Sequence, residues 1–254
     1  MTLSRALPLS VLAFDAGADH LSAFRWLAST APLTWTLTEQ IASTIGDRIL
    51  DGALAPGVWL REQDFADEFG VSRGPIREAF QILQREGLVL VHARRGAQVT
   101  ALTERDVRDI FAIRATLFRM VARLLATQRA PAYISALAAA IDNLARLATG
   151  DHADQYARTV FRLSLYSASA CGNERLCNLL TSLSLQTYRY SRLGLASVER
   201  RRRSLALWRA TLAAIRAGDA DRAEKVAAER ILENGAAAES RLGAETKGRT
   251  HVAR

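Results

Sequence analysis

Two arginines, Arg73 and Arg77, stand four residues apart beside the small residues Ser72 and Gly74. In a helix this spacing places both guanidinium groups on one face. The opposite face carries an apolar stripe made of Ile76, Ala79, Phe80 and Leu83. A guanidinium group can hold guanine with two hydrogen bonds, and backbone N–H groups at a helix start can hold a phosphate. We therefore expect the four polar or small residues to contact a DNA major groove; the alternative is a solvated basic face.

The flanking sequence has the signals of short helices joined by tight turns. Thr36 and Glu39 form a capping-box pattern at the start of a first helix. Gly70 is expected to end a second helix in a left-handed conformation. The Ser72 hydroxyl is expected to accept a hydrogen bond from the third helix, and Pro75 suits the first turn of that helix.

A two-stranded hairpin should follow the third helix. Its turn carries Arg94, Arg95 and Gly96. A basic turn with a glycine can approach phosphates or the minor groove closely, and the alternative is an ordinary charged turn. His92, on the strand before the turn, is either a wing contact or a solvated residue. Together the helices and the hairpin predict a winged helix-turn-helix at residues 37–100.

The chain after residue 100 has helical periodicity and no strand pattern of any length. Thr103 and Pro131 are typical of helix starts, and Gly218 followed by Asp219 ends one helix and begins another. We expect six helices in an antiparallel bundle at residues 101–240. The predicted fold class is mainly α, with a winged helix-turn-helix followed by this all-α bundle.

Both ends of the chain are expected to be flexible. Residues 1–36 lack the basic start and the cleavage site of a signal peptide, so we interpret them as an extension or as a start codon placed too early. Residues 241–254 are expected to form a flexible tail. No segment has the uninterrupted apolarity of a membrane span, so no membrane partner is expected. Cys171 and Cys177 match no metal or redox spacing and suit buried, reduced residues in the cytoplasm.

The charge of the chain is unevenly distributed. The net charge is +8, but residues 37–100 carry 7 Lys and Arg against 9 Asp and Glu. The excess positive charge lies in residues 101–254, with 25 basic and 15 acidic residues. The winged module must therefore bind DNA through a few placed arginines, while the bundle can steer the protein toward DNA or hold an anionic ligand.

The winged module resembles that of the GntR family of bacterial transcription regulators. The sequence GVSRGPIREA at residues 70–79 carries most of the resemblance. The resemblance implies that Arg73 and Arg77 contact bases or phosphates and that Gly96 lies at the wing tip. Gln63 stands where some members have an arginine, and its amide can still form hydrogen bonds with DNA.

The bundle resembles the ligand-binding FCD domain of the FadR-like branch of that family. Gly172-Asn173 and residues 214–223 carry this resemblance. It implies a metal site built from one aspartate and three histidines. On this resemblance, the four ligand positions hold Arg158, Arg162, Trp208 and Arg230. Because arginine stays protonated, it cannot ligate a metal, so we expect neither a metal nor another cofactor.

Several arginines around one ligand site favour an organic anion as the effector. Guanidinium groups form paired hydrogen bonds with carboxylates and phosphates, and a tryptophan can serve as an apolar wall. The expected effector-binding residues are Arg114, Arg158, Arg162, Asn173, Trp208 and Arg230. The alternative is a decayed site whose arginines point outward or pair with nearby acidic residues.

These patterns predict a cytoplasmic transcription regulator, acting as a ligand-responsive repressor. One recognition helix reaches few base pairs, so a homodimer on a palindromic double-stranded operator is expected. The alternative is a constitutive DNA-binding protein whose effector domain has lost its ligand. An enzyme is not expected, because the chain has no plausible catalytic triad, phosphate loop or metal cluster.

Overall fold

The computed structural model describes residues 36–93 and 95–252, the last eight of them by backbone alone. The chain divides into two compact units between Leu102 and Thr103. The expected extension at residues 1–36, apart from Thr36, lies outside the described residues, as does Arg94. No helix in the described part of the chain is long and apolar enough to cross a membrane.

The first unit is a winged helix-turn-helix, as predicted. Its elements are α1 (Leu37–Asp51), β1 (Trp59–Leu60), α2 (Glu62–Phe69), α3 (Arg73–Arg85), β2 (Val89–His92) and β3 (Gly96–Val99). The strands form one antiparallel sheet in the order β1-β3-β2. The predicted hairpin is formed by β2 and β3, and a strand that was not predicted, β1, pairs with β3 and places Trp59 opposite Gln98. A strand of two residues is too short to show an alternating pattern.

Most of the predicted helix ends in this unit are confirmed. Thr36 and Glu39 form the capping box, and Gly70 adopts the left-handed conformation at the end of α2. Ser72 has the extended backbone of a cap residue, but its hydroxyl makes no capping hydrogen bond, so that prediction was wrong. Ser72 is exposed, and its hydroxyl therefore stays available to solvent at the tip of α3.

The core of the winged unit lies under α3. Ile76, Ala79, Phe80 and Leu83 are all fully buried, as their helical spacing predicted. Phe80 meets Phe65 of α2 edge to face, with ring centroids 5.9 Å apart. Because this packing fixes the apolar face of α3 inward, the opposite face with its two arginines is turned to solvent.

The second unit contains helices only, within the described residues. They are α4 (Glu104–Gln128), α5 (Pro131–Leu147), α6 (Ala153–Ala170), α7 (Glu174–Gln186), α8 (Tyr188–Gly194), α9 (Val198–Ala217) and α10 (Ala220–Val252). Seven helices replace the six that were predicted. The additional helix is α8, which only Thr187 separates from α7. One residue between two helices leaves no glycine or proline signal from which to predict the break.

The last helix, α10, extends through most of the segment predicted to be a flexible tail. It runs without interruption from Ala220 to Val252, so the expected change in character at residue 241 is absent. Its contact with α4 is close at Gly235, where an added Cβ would lie 2.7 Å from Cβ of Phe111. Arg108 of α4 and Glu239 of α10 form an ion pair further along this seam. Two long helices therefore lie in close contact along the bundle.

Gly96 lies where the sheet has no space for a side chain, so replacing it should lower the free energy of unfolding. Its φ is +89°, and a Cβ there would overlap the carbonyl oxygen of Leu60. Gly57 has a similar φ of +82° but open space around it. Alanine at either site should cost about 1–2 kcal/mol through the positive φ, and Gly96→Ala should cost a further ~1–3 kcal/mol through overlap.

Urea unfolding of the two variants measures this difference, with Gly57→Ala as the matched control for backbone strain. Equal free energies of unfolding for the two variants would show that the sheet accommodates a side chain at Gly96.

Candidate nucleic-acid interface and effector cavity

The tip of α3 presents two arginines that share one carboxylate. The side chains of Arg73 and Arg77 are 59% and 56% exposed, whereas that of Glu62, in the first turn of α2, is 13% exposed. Arg77 donates from Nε to Glu62 Oε1 at 3.1 Å and from Nη2 to Oε2 at 2.9 Å. Arg73 donates from Nη2 to Oε2 at 3.2 Å. Glu62 thus fixes the two guanidinium groups side by side.

These hydrogen bonds leave one end of each guanidinium group for a ligand. The hydrogen bond from Arg77, assisted by Arg73, lowers the pKa of Glu62, so the carboxylate is charged at neutral pH. The bonds engage Nε and Nη2 of each arginine, and within the described residues none engages Nη1. Because each guanidinium carries five donors, an end-on contact through Nη1 remains possible for guanine or phosphate.

A groove of about 700 Å³ connects this pair with the wing. It is lined by Arg61, Glu62, Gln63, Arg73, Arg77, Arg95 and Gly96. The structure therefore brings together five of the eight residues expected to contact DNA. Gln63 is held by its own helix, since its Nε2 donates to Asp67 Oδ1 at 2.7 Å. Arg95 and Gly96 supply the wing side of the groove.

The other three residues expected at this interface are placed differently. Ser72 and Gly74 are exposed at the tip of α3 but do not line the groove. Arg94 lies outside the described residues. His92 was left open between a wing contact and a solvated residue; it is half-buried, and its ring lies 4.8 Å from that of Trp59, so it packs on β1.

Sequence reasoning missed two residues of this groove, Arg61 and Glu62. Arg61 precedes α2 and Glu62 begins it. The available signal was the position of Glu62 in a first helical turn, where an acidic side chain is favoured. That signal explains a carboxylate at a helix start but not its reach across to α3, which depends on the crossing of the two helices.

The second unit contains three arginines that are almost completely buried, and two of them, Arg114 and Arg230, line the same cavity. Arg114 of α4 is 4% exposed and Arg230 of α10 is 6% exposed. Arg114 donates from Nη1 to Thr187 Oγ1 at 2.9 Å. The guanidinium carbon of Arg230 lies 3.6 Å from the ring centroid of Trp208. No carboxylate pairs with either arginine among the described residues.

Burial without an acidic partner is unfavourable for these two groups. It lowers the pKa of Arg114 to about 9, with repulsion from Arg230 contributing, and that of Arg230 to about 10. Both side chains nevertheless carry a charge at neutral pH. A cation–π contact contributes up to about 2 kcal/mol when desolvated, whereas removing one ion from water costs several kcal/mol. Trp208 alone therefore does not balance the burial of Arg230.

Both arginines line a small internal cavity. Its other polar lining residues are Ser164, Ser191, Arg200, Ser204 and Asn234. The Nε atoms of Arg114, Arg200 and Arg230 are buried, and each lacks a hydrogen-bond partner in the described part of the chain. Three helices, α4, α9 and α10, thus each contribute one arginine to the lining of the same small space.

Only part of the expected effector site is found at this cavity. Arg158 and Arg162 are half-buried and do not line it, because α6 faces it with Ala157, Val160, Phe161 and Ser164. Asn173 caps α7, where its Oδ1 accepts from the Leu176 N–H. Trp208 is buried beneath Arg230. The structure therefore brings Arg114, Trp208 and Arg230 together and leaves the other three residues elsewhere.

Arg200 is the main effector-cavity residue that the sequence did not reveal. Arg200 to Arg203 form a basic run in the first turn of α9, which reads as a solvated helix start. Instead, Arg200 lines the cavity, and Arg201 is buried with Nη1 and Nη2 donating to the carbonyl oxygens of Ala196 and Gly150 at 2.8 and 2.5 Å. Arg203 pairs with Glu229 and Glu233 on the surface.

The residues of the cavity do not fit a metal ion. Its polar groups are guanidinium, hydroxyl and amide groups, and guanidinium cannot act as a metal ligand. Over the described residues, no group of three or more His, Cys, Asp or Glu side chains could hold a metal. The FCD pattern of aspartate and histidine ligands is therefore not the chemistry of this cavity.

Comparison with known proteins matches both units. Residues 37–99 match the model of the bacterial regulatory proteins of the gntR family, and residues 109–233 match the FCD domain. The gluconate operon transcriptional repressor of Bacillus licheniformis is 40% identical over 75 residues, 30% of each chain. An uncharacterized HTH-type transcriptional regulator of Mycobacterium tuberculosis is 32% identical over 146 residues, covering 51% of this chain and 60% of its own. The chain thus spans less than two thirds of these relatives.

A solved structure supports the same fold. McbR/YncC of Escherichia coli superposes with a TM-score of 0.69 at 22% identity, covering 82% of this chain and 99% of that one. The matched family models, the winged unit and the helical unit all agree. The chain belongs to the GntR family of bacterial regulatory proteins, with an FCD domain as its second unit.

Proposed function

We propose that this protein is a sequence-specific DNA-binding regulator of transcription that acts as a repressor, and not an enzyme. The observation that carries the proposal is the exposed pair Arg73 and Arg77, fixed by Glu62 at the tip of a helix above an open groove. Relatives named as repressors of sugar-acid and sugar operons support repression, as opposed to activation, of transcription. The protein acts in the cytoplasm, where its DNA target lies.

In this proposal, the N-terminal end of α3 enters the major groove. Arg73 and Arg77 meet base edges or phosphates through the ends of their guanidinium groups, and the exposed Ser72 and Gly74 allow the backbone to approach. Arg95 and Gly96 of the wing contact the DNA backbone or the minor groove. Gln63 adds a hydrogen bond from α2.

In this proposal, Glu62 helps the protein to discriminate its operator from other DNA. A carboxylate beside the DNA repels phosphates, so it opposes binding that depends on charge alone. It also holds the two arginines in one orientation, which favours a base pair of matching geometry. This arrangement agrees with a winged module that carries more acidic than basic residues.

The protein binds a palindromic operator as a homodimer, in this proposal. One recognition helix reads few base pairs, and two-fold pairing doubles the site read. Half-sites one helical turn apart, or a multiple of one turn, are expected. DNase footprinting on its own upstream region, with sedimentation of the complex, tests this; one protomer on an asymmetric site would contradict it.

The second unit makes DNA binding responsive to an anionic effector. Arg114 and Arg230 are buried without acidic partners among the described residues, which supports an anion as the ligand. Because binding free energies are reciprocal, an effector that weakens DNA binding is itself bound more weakly by the DNA complex. The alternative is a constitutive DNA-binding protein, for which a gel shift would be the same with and without metabolites.

Removing one of the reading arginines should weaken operator binding. Arg73→Ala or Arg77→Ala is expected to reduce affinity by about tenfold or more if the side chain reads guanine. A phosphate contact would instead lower the salt slope by about one. Fluorescence anisotropy across a salt series measures both. Arg85→Ala, at the other end of α3, is the matched control and should bind like the parent protein.

Removing the negative charge of Glu62 should lower the specificity for the operator and raise the affinity for DNA of any sequence. Glu62→Gln keeps the size of the side chain but removes the charge that fixes both arginines. We expect tighter binding to random DNA and a fall of about tenfold in the ratio of operator to random affinity. Competition binding with operator and scrambled duplexes measures that ratio. An unchanged ratio would show that Glu62 does not contribute to recognition of the operator sequence.

A further inference from the structure

We propose that the cavity between Arg114, Arg200 and Arg230 binds a compact anion, a carboxylate or an inorganic oxyanion, held by guanidinium groups without a metal. The inference deepens the proposed effector response and rests on it for its regulatory meaning. The binding itself does not depend on that function.

Three arginines that each have an unused donor line the same cavity. Arg114, Arg200 and Arg230 come from α4, α9 and α10, and the Nε of each is buried without a hydrogen-bond partner in the described residues. Ser164 and Ser204 add hydroxyl groups to the same lining. Guanidinium donors and hydroxyls are the groups that hold carboxylate and phosphate oxygens in proteins.

Another buried arginine in the bundle provides an internal comparison. Arg201 is 2% exposed, and its Nη1 and Nη2 donate to two backbone carbonyl oxygens, although its Nε is also buried without a partner among the described residues. The protein thus supplies acceptors to a buried guanidinium group when no ligand serves it. Arg230 has aromatic faces and no hydrogen bond among the described residues, although it is equally buried. The difference marks Arg230 as a group kept for an external acceptor.

The charges around the cavity define the sign of the ligand. The carboxylate that pairs with a lining arginine, that of Glu233, accepts from Arg200 Nη1 at 3.0 Å and also pairs with Arg203, so it is already shared. Arg114 and Arg230 repel each other. An anion between them would remove that repulsion and join three helices, whereas a neutral ligand would leave both charges uncompensated.

The size of the cavity limits the ligand. Its volume is about 20 Å³, little more than the ~10–15 Å³ that one water requires. The space holds about one water, so a carboxylate or phosphate group enters only when the lining side chains move apart, and the carbon chain of a sugar acid is excluded. Carboxylate and phosphate are favoured over chloride, because each can accept paired hydrogen bonds from guanidinium groups.

Thermal unfolding of the full chain, followed with acetate, phosphate and the neutral isostere acetamide at constant ionic strength, tests the site. Acetate or phosphate at a hundred times its Kd should raise the Tm by roughly 5–10 °C. Acetamide should leave the Tm unchanged. The relative responses to acetate and phosphate identify which oxyanion the site takes. Equal shifts with acetate and acetamide would overturn the proposal.

Two variants locate the binding. Arg230→Gln keeps a polar side chain but removes the charge, and it should reduce anion affinity by at least about tenfold. If that variant does not fold, Arg200→Gln and Arg203→Gln decide the matter. Arg200 makes one hydrogen bond to Glu233 and Arg203 makes three, so both variants lose contact with that carboxylate, but only Arg200 lines the cavity. Anion affinity should fall in Arg200→Gln alone; equal affinities in the two would overturn the assignment.

A further measurement, of DNA binding, tests the anion site and the proposed regulatory function separately. Operator affinity is measured with and without the bound anion. Anion binding that depends on Arg230 but leaves operator affinity unchanged would uphold the site and contradict the effector response. Operator affinity that responds to a metabolite in both parent and Arg230→Gln would uphold the regulator and overturn the site.

Discussion

A guanidinium group needs acceptors for its directed N–H donors, most strongly when it is buried, and this constraint organises both units of the protein. In the winged unit, Glu62 satisfies it for Arg73 and Arg77 while leaving one end of each for a ligand. In the bundle, backbone carbonyls satisfy it for Arg201. Arg230 has no such partner among the described residues. The same chemistry thus yields a presented pair, a structural contact and a candidate ligand site.

A ligand at that candidate site would contact three helices at once. Its three arginines lie on separate helices, α4, α9 and α10. α4 and α10 pack closely where Gly235 faces Phe111, so the seam between them tolerates little displacement. An anion that draws Arg200 toward Arg114 and Arg230 therefore acts mainly on α9. Packed helices respond to such a pull by shifting as units, because a close-packed interior does not deform continuously.

Much of the fold could be predicted from local signals. The fold signals at issue are properties of a few neighbouring residues, and all are confirmed: a capping box at Thr36, a helix start at Thr103, a left-handed glycine at Gly70 and a helical apolar stripe on α3. β1 and α8 were missed for the opposite reason. A two-residue strand has no period, and one residue between two helices carries no breaking signal.

The residues of the groove and of the cavity could be predicted from the sequence only in part. Arg73 and Arg77 could be placed because their own helix fixes their common face, but Glu62 required the crossing of α2 and α3. In the bundle, Arg162 and Ser164 lie on nearly opposite faces of α6 and only Ser164 faces the cavity, and residue counting from a distant motif does not determine which face that is. Arg200 was hidden inside a basic run, since a solvated and a buried arginine have the same sequence signature. Charge count therefore indicates little about a guanidinium group, whereas the partners available within reach determine what it can bind.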